Sequence, residues 1–143
     1  MNKNPDTQLM ETIKIQIPAI SDNIRMIESF IDNSKERFNL DEDLYGNIMI
    51  AVTEAVNNAI KHGSKSNSEM SVSLALSLTD NAIKFRIEDD GGGFDYFNLP
   101  DPTAPENLEK PSGRGIFLMK HLSDEVEFLD NGRVVELSFY VNQ

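Results

Sequence analysis

Residues 48–62 read IMIAVTEAVNNAIKH, a run with helical spacing in which two polar residues, Glu54 and Asn58, stand four apart. An i, i+4 pair lies on one face of a helix, one turn apart. Here the pair sits beside an apolar stripe of Leu44, Ile48, Ala51, Ala55 and Ala59. A carboxylate and a carboxamide this close to a core cost free energy unless they are paired, hydrated or bound to something. They are the first candidates for chemistry.

Working outward, Asp41 is placed to cap this helix, and Asp41, Glu42 and Asp43 suit the positive end of its dipole, while Gly63 suits its C-terminal end. Upstream, Ile13, Ile15 and Ile17 alternate within residues 12–17, which predicts a strand ended by Pro18. Ser21 is then the expected cap of a helix running to about Phe38, with Ile24, Ile27, Ile31, Ser34 and Phe38 on one stripe. Residues 1–10 are polar and read as a loose tail, with a single domain over residues 11–143.

Downstream, Met70, Val72, Leu74, Leu76 and Leu78 alternate with small or polar residues, and Ile83, Phe85 and Ile87 alternate with Lys84, Arg86 and Glu88. With a turn at residues 79–81, this predicts an antiparallel hairpin. Residues 97–112 hold four of the six prolines and no periodicity; a connection of that length in a compact domain is usually functional or disordered. A short helix is expected over residues 115–122, then strands 126–129 and 134–141 around the turn signal Asp130-Asn131-Gly132. The order strand, two helices, two strands, helix, two strands predicts an α+β two-layer sandwich. One mixed, mostly antiparallel sheet carries its helices on one face. Ser71, Ser73, Ser77, Lys84 and Arg86 make the other face partly polar.

At 143 residues the chain fits one domain, a size that buries roughly 68–70% of its unfolded surface. It has no cysteine, so neither a disulfide framework nor a thiolate metal site is available. No N-terminal apolar signal region and no run of membrane-spanning length occurs, so the expected setting is the cytoplasm, with no membrane association. Thirteen Lys and Arg against 24 Asp and Glu give a net charge of −11 without a basic cluster. Such a surface repels nucleic acid, and the expectation is no nucleic-acid partner. The acidity suits solubility or a basic protein partner.

Glycine placement is the second signal. Six of the eight glycines fall at Gly63, in the run Gly91-Gly92-Gly93 after Asp89-Asp90, and at Gly113 and Gly115. The run allows close approach of a ligand to the backbone, and a glycine pair opening a helix leaves N–H groups for an anion. Alone, a strand-end DDGGG reads first as a turn with an exposed acidic tip.

Taken together the motifs are specific. EAVNNA at 54–59 with Lys61-His62-Gly63 resembles the N-box of the GHKL ATPase superfamily of gyrase, histidine kinases and related enzymes. DDGGGF at 89–94 resembles its G1 box, and SGRGIFLM at 112–119 its G2 box. The short form and the wording GRGIFLMKHLSDEV most resemble the anti-sigma-factor serine kinases of bacterial partner-switching systems. The resemblance covers residues 12–141 and implies a GHKL (Bergerat) fold that uses ATP and Mg²⁺.

It further implies a role for each motif residue. Asp89 would accept a hydrogen bond from the adenine amine, and guanine's carbonyl would face it acceptor to acceptor. Gly91 and Gly93 would let the backbone pass close to base and ribose. Asn58 would offer a neutral oxygen to Mg²⁺. Ser112, Gly113, Arg114 and Gly115 would hold the phosphates, under a lid formed by residues 97–112. Glu54 would be the general base toward an attacking hydroxyl. Histidine kinases usually carry asparagine there and phosphorylate a histidine on a further helix domain. The glutamate, with no room for that domain or for a gyrase-type transducer domain, leaves a serine on another protein as acceptor.

The implied partners are a small antagonist protein as phosphoacceptor and a sigma factor or analogous regulator that is sequestered. The family also usually forms a homodimer, for which residues 21–38 are a candidate surface. The competing reading is a nucleotide-binding module that sequesters partners with little or no kinase turnover. Other residues keep plainer readings. Asn57 is a helix-surface asparagine, His62 a structural or helix-end residue with catalysis the lesser alternative, and His121 surface or core. Asp90 supports the binding residues from behind or is an exposed turn residue. Asp89, Asp90 and Asp95 do not fit a calcium loop. Phe94, Tyr96 and Phe97 are either packed under the lid or anchors beneath it.

Overall fold

Alternation in the central strands builds the platform. The computed structural model describes residues 9–63, 67, 69–91 and 111–141. Strand β2 (Ser71–Thr79) buries Val72, Leu74 and Leu76, and strand β3 (Ala82–Asp89) buries Ile83, Phe85 and Ile87 on the same side. They pair antiparallel in a register that sets Leu74 opposite Ile87 and Leu76 opposite Phe85. Strand β1 (Leu9–Pro18) flanks β2, while β5 (Val134–Tyr140) flanks β3 and carries β4 (Glu125–Leu129) outside it. The sheet therefore runs β1-β2-β3-β5-β4. Every described pairing is antiparallel, so the sheet carries none of the parallel pairing that a mixed sheet would have.

Helices α1 (Ile24–Arg37), α2 (Glu42–Asn58) and α3 (Pro111–Leu122) pack on one face. Ile27 and Ile31 of α1, Ile48, Val52 and Val56 of α2, and Met119 of α3 share one core with Leu74, Phe85, Leu137 and Phe139 of the sheet. Phe85 and Phe139 meet edge to face with ring centroids 6.0 Å apart, a favoured aromatic geometry. The opposite face is polar as expected: Glu136 takes Arg86 at 2.9 Å and Lys84 at 3.7 Å. These partly exposed ion pairs add little stability but keep the face wet.

Local chemistry sets the ends of the elements. Asp41 caps α2 by accepting the Leu44 N–H at 2.7 Å. Asn39 takes the left-handed conformation (φ 53°) and lets the Leu40 N–H return to the Lys35 carbonyl, a Schellman-type stop for α1. Asp130, Asn131 and Gly132 all have positive φ, which suits short polar residues and glycine in the turn between β4 and β5.

Four boundaries differ from expectation. Ser21 does not cap α1: residues Ser21–Asn23 form a 3₁₀ turn without a side-chain cap, and the Asn23 amide donates instead to the Pro18 carbonyl. The second helix does not run regularly to Gly63, because a π turn, Ala59–Gly63, replaces its last part. Helix α3 starts at Pro111 rather than Gly115, as proline is well suited to a first helical position. Strand β1 begins at Leu9, inside the stretch read as a tail; residues 1–8 lie outside the described residues, as does most of the 97–112 connection.

Replacing Phe85, fully buried at the centre of this core, with alanine is expected to cost about 3–5 kcal/mol. Urea denaturation of parent and F85A measures it.

Candidate nucleotide site

Glu54 and Asn58 stand on the last turns of α2, where the helix is held between the sheet and α3. Asn58 is the last regular helical residue before the π turn, and such local widenings recur at functional sites. Its side chain is 5% exposed, and its Nδ2 has no hydrogen-bond partner among the described residues. A buried amide left in that state costs roughly 1–3 kcal/mol, so the position suits a residue kept for a ligand.

Helix α3 packs against α2, with Gly115 facing it. A Cβ added there would lie 2.9 Å from Oε2 of Glu54 and 3.2 Å from Nδ2 of Asn58. Both side chains therefore converge on one glycine of the neighbouring helix, and the absence of a side chain at 115 leaves them room. Gly115 is the fifth residue of α3, past the opening turn whose N–H groups are unpaired. What it supplies is space, and the opening turn of the helix holds Ser112, Gly113 and Arg114.

Asp89 ends β3 and is 1% exposed. Its Oδ1 accepts the Gly91 N–H at 2.7 Å, which folds the chain back over the carboxylate. Its own N–H donates to the Arg133 carbonyl at 3.0 Å. Asp90 is neither free nor merely exposed: its Oδ2 accepts the Ser71 N–H at 3.0 Å and its N–H donates to the Ser71 carbonyl at 3.1 Å. The acidic pair is thus split between two jobs, one buried carboxylate and one latch onto β2. The π turn that continues from Asn58 packs against β3, which links the two halves of the site. Gly93, Asp95 and the aromatics Phe94, Tyr96 and Phe97 lie outside the described residues.

The residues present suit a magnesium-bound nucleotide. A buried carboxamide offers an oxygen to a hard cation and an N–H to a phosphate oxygen. The glycine at 115 leaves space next to it, and a buried carboxylate ends the neighbouring strand. Shallow depressions on the sheet's open face, lined by Lys14, Ser73, Arg86 and Glu88, are formed by different residues. The sequence singles out Glu54, Asn58 and Asp89 but gives no sign of the latch of Asp90 or the contacts of Arg133, which join residues far apart in the chain.

This fold and motif set define a class: the chain belongs to the histidine kinase-like ATPase domain family, which it matches over residues 17–139. It is 31% identical over 139 residues to the serine-protein kinase RsbW of Staphylococcus epidermidis, spanning 92% of this chain and 87% of that one. Against the protein of the same name from Staphylococcus aureus (strain JH9) the identity is 28% with the same coverage. The fold is also similar to the crystal structure of the RsbU and RsbW domains of Rv1364c from Mycobacterium tuberculosis. That match has a TM-score of 0.60 at 16% identity, over 92% of this chain and 32% of that one. This chain spans about a third of that longer structure, and the likeness shows the fold. Among the described residues, no helix is long and apolar enough to cross a membrane.

His62 lies in the π turn, partly buried, and burial, followed by the neighbouring Lys61 charge, lowers its pKa below the ordinary 6.5. The neutral imidazole is the form the fold favours. Its contribution to stability is complete above pH 6.5 and is lost as pH falls through the depressed native value. An NMR titration is expected to place the His62 midpoint below 6.5.

Proposed function

We propose that this chain is an ATP- and Mg²⁺-dependent protein-serine kinase that phosphorylates a small anti-sigma-factor antagonist and sequesters a sigma factor or analogous regulator. The observation that carries the reading is the convergence of Glu54 and Asn58 on Gly115 at the end of α2. Membership of an ATPase family and the likeness to proteins named serine-protein kinase RsbW support it.

In this reading Asp89 accepts a hydrogen bond from the adenine amine, and Gly91 and Gly93 let the backbone lie close to base and ribose. Ser112, Gly113 and Arg114 face the phosphates from the first turn of α3, with Gly115 beneath them and residues 97–112 as the lid. Asn58 holds Mg²⁺, which when bound neutralises phosphate charge. Glu54 takes the proton of the acceptor serine as the serine oxygen bonds to the γ-phosphorus. The bond to the β,γ-bridging oxygen breaks, and ADP leaves. The protein works in the cytoplasm as a homodimer, with α1 as the candidate surface for the second subunit and partners.

Glu54→Gln keeps shape and hydrogen-bonding capacity but cannot take the proton. Transfer of labelled phosphate to the antagonist is expected to fall by about 10² or more, with ATP affinity unchanged. Equal transfer in the variant and parent refutes the general-base role. A parent that binds ATP and regulator without any transfer establishes the sequestering module instead.

Asp89→Asn replaces a charged acceptor with a neutral amide. Calorimetry is expected to show ATP affinity lower by about 10- to 100-fold, the size of one charge-assisted hydrogen bond. An unchanged Kd contradicts the placement of adenine at Asp89.

A further inference from the structure

Arg133 lies outside all three motif segments, directly after the Asp130–Gly132 turn, yet its contacts gather at the end of β3. Its carbonyl accepts the Asp89 N–H at 3.0 Å, and one guanidinium nitrogen donates back to the Asp89 carbonyl at 3.4 Å. The same nitrogen lies 3.5 Å from the Glu88 carboxylate. Its Nε donates to Asp130 at 2.8 Å, and its N–H to the Asp130 carbonyl at 3.0 Å. The regular β3–β5 register ends at the Glu88–Val134 pair; Arg133 extends the pairing by one residue, with its side chain as well as its backbone.

The consequence is a clamp. From the β5 side Arg133 grips both the N–H and the carbonyl of Asp89; from the β2 side Ser71 grips Asp90 through backbone and side chain. The peptide joining the two acids is therefore fixed on both flanks. With the Asp89 backbone fixed and its Oδ1 tied to the Gly91 N–H, the carboxylate has one orientation at the end of the strand. A binding group held rigidly by its supports needs no reordering when the ligand arrives.

We propose that Arg133 is a positioning residue for nucleotide-base recognition: by clamping the Asp89 backbone it holds that carboxylate in line with the exocyclic amine of adenine. The proposal rests on the assignment of Asp89 to adenine made above. An interchange with lysine is not neutral, because only the planar guanidinium reaches Asp130, Glu88 and the Asp89 carbonyl together.

The test uses two probes on the full chain, ATP and purine riboside triphosphate, which lacks the exocyclic amine. Calorimetry gives the Kd of each for the parent, Arg133→Met and Arg133→Lys. Arg133→Met is expected to weaken ATP by about tenfold, the scale of one hydrogen bond, while leaving the amine-free nucleotide unchanged. Arg133→Lys, which keeps the charge and part of the reach, is expected to fall between and serves if the methionine variant does not fold. Equal loss for both nucleotides, or no loss for either, overturns the role of Arg133 and leaves Asp89 in place. A parent that binds the two nucleotides equally overturns the adenine assignment of Asp89, and the role of Arg133 with it.

Discussion

Burial of α2 is the constraint on which the rest of the molecule depends. Ile48, Val52 and Val56 are fully buried, and that helix touches the sheet on one side and α3 on another. Hydrophobic burial gives no direction by itself; the alternating faces of β2, β3 and β5 supply it. Once α2 is seated, Glu54 and Asn58 have no choice of position. They fall at the rim of the core, beside the space that Gly115 leaves in α3. The polar pair is thus placed by the apolar contacts of the helix that carries it.

The end of β3 is organised by a different kind of force. Directional bonds fix Asp89 and Asp90, from Ser71 on one neighbouring strand and Arg133 on the other. Both strands are antiparallel to β3, so their ends meet it at one place. The antiparallel sheet therefore serves two purposes. Its inward face seats the helices, and its strand ends supply backbone donors and acceptors to the site.

Much of this was legible in the sequence wherever the signal is local. The alternation of residues 70–78, the stripes of the first two helices, the Asp41 cap and the Asp130-Asn131-Gly132 turn each depend on neighbours in the chain, and each is present. What escaped depends on distant partners or competing local bonds. Ser21 lost the cap because the Asn23 side chain bonds Pro18 and turns the chain first. The start of α3 was hidden because the proline-rich connection has no periodicity, although Pro111 itself was a usable start signal. Ala59–Gly63 has nothing in its composition that distinguishes a π turn from the continuation of α2. Arg133 stood 44 residues from Asp89, so only the folded sheet brings them together.

Gly115 carries one more consequence, for how such a protein can change over time. Within a helix, exchanging glycine for alanine ordinarily gains about 0.8–1.0 kcal/mol, so selection for heat resistance favours that exchange. At 115 the added methyl would press on the Glu54 carboxylate at 2.9 Å, and the flexible side chain would yield by moving off its post. Robustness and the present placement of Glu54 therefore pull in opposite directions at a single codon. A lineage that hardens this helix at 115 displaces the Glu54 carboxylate, and one that keeps it in place must find its extra stability elsewhere in the fold.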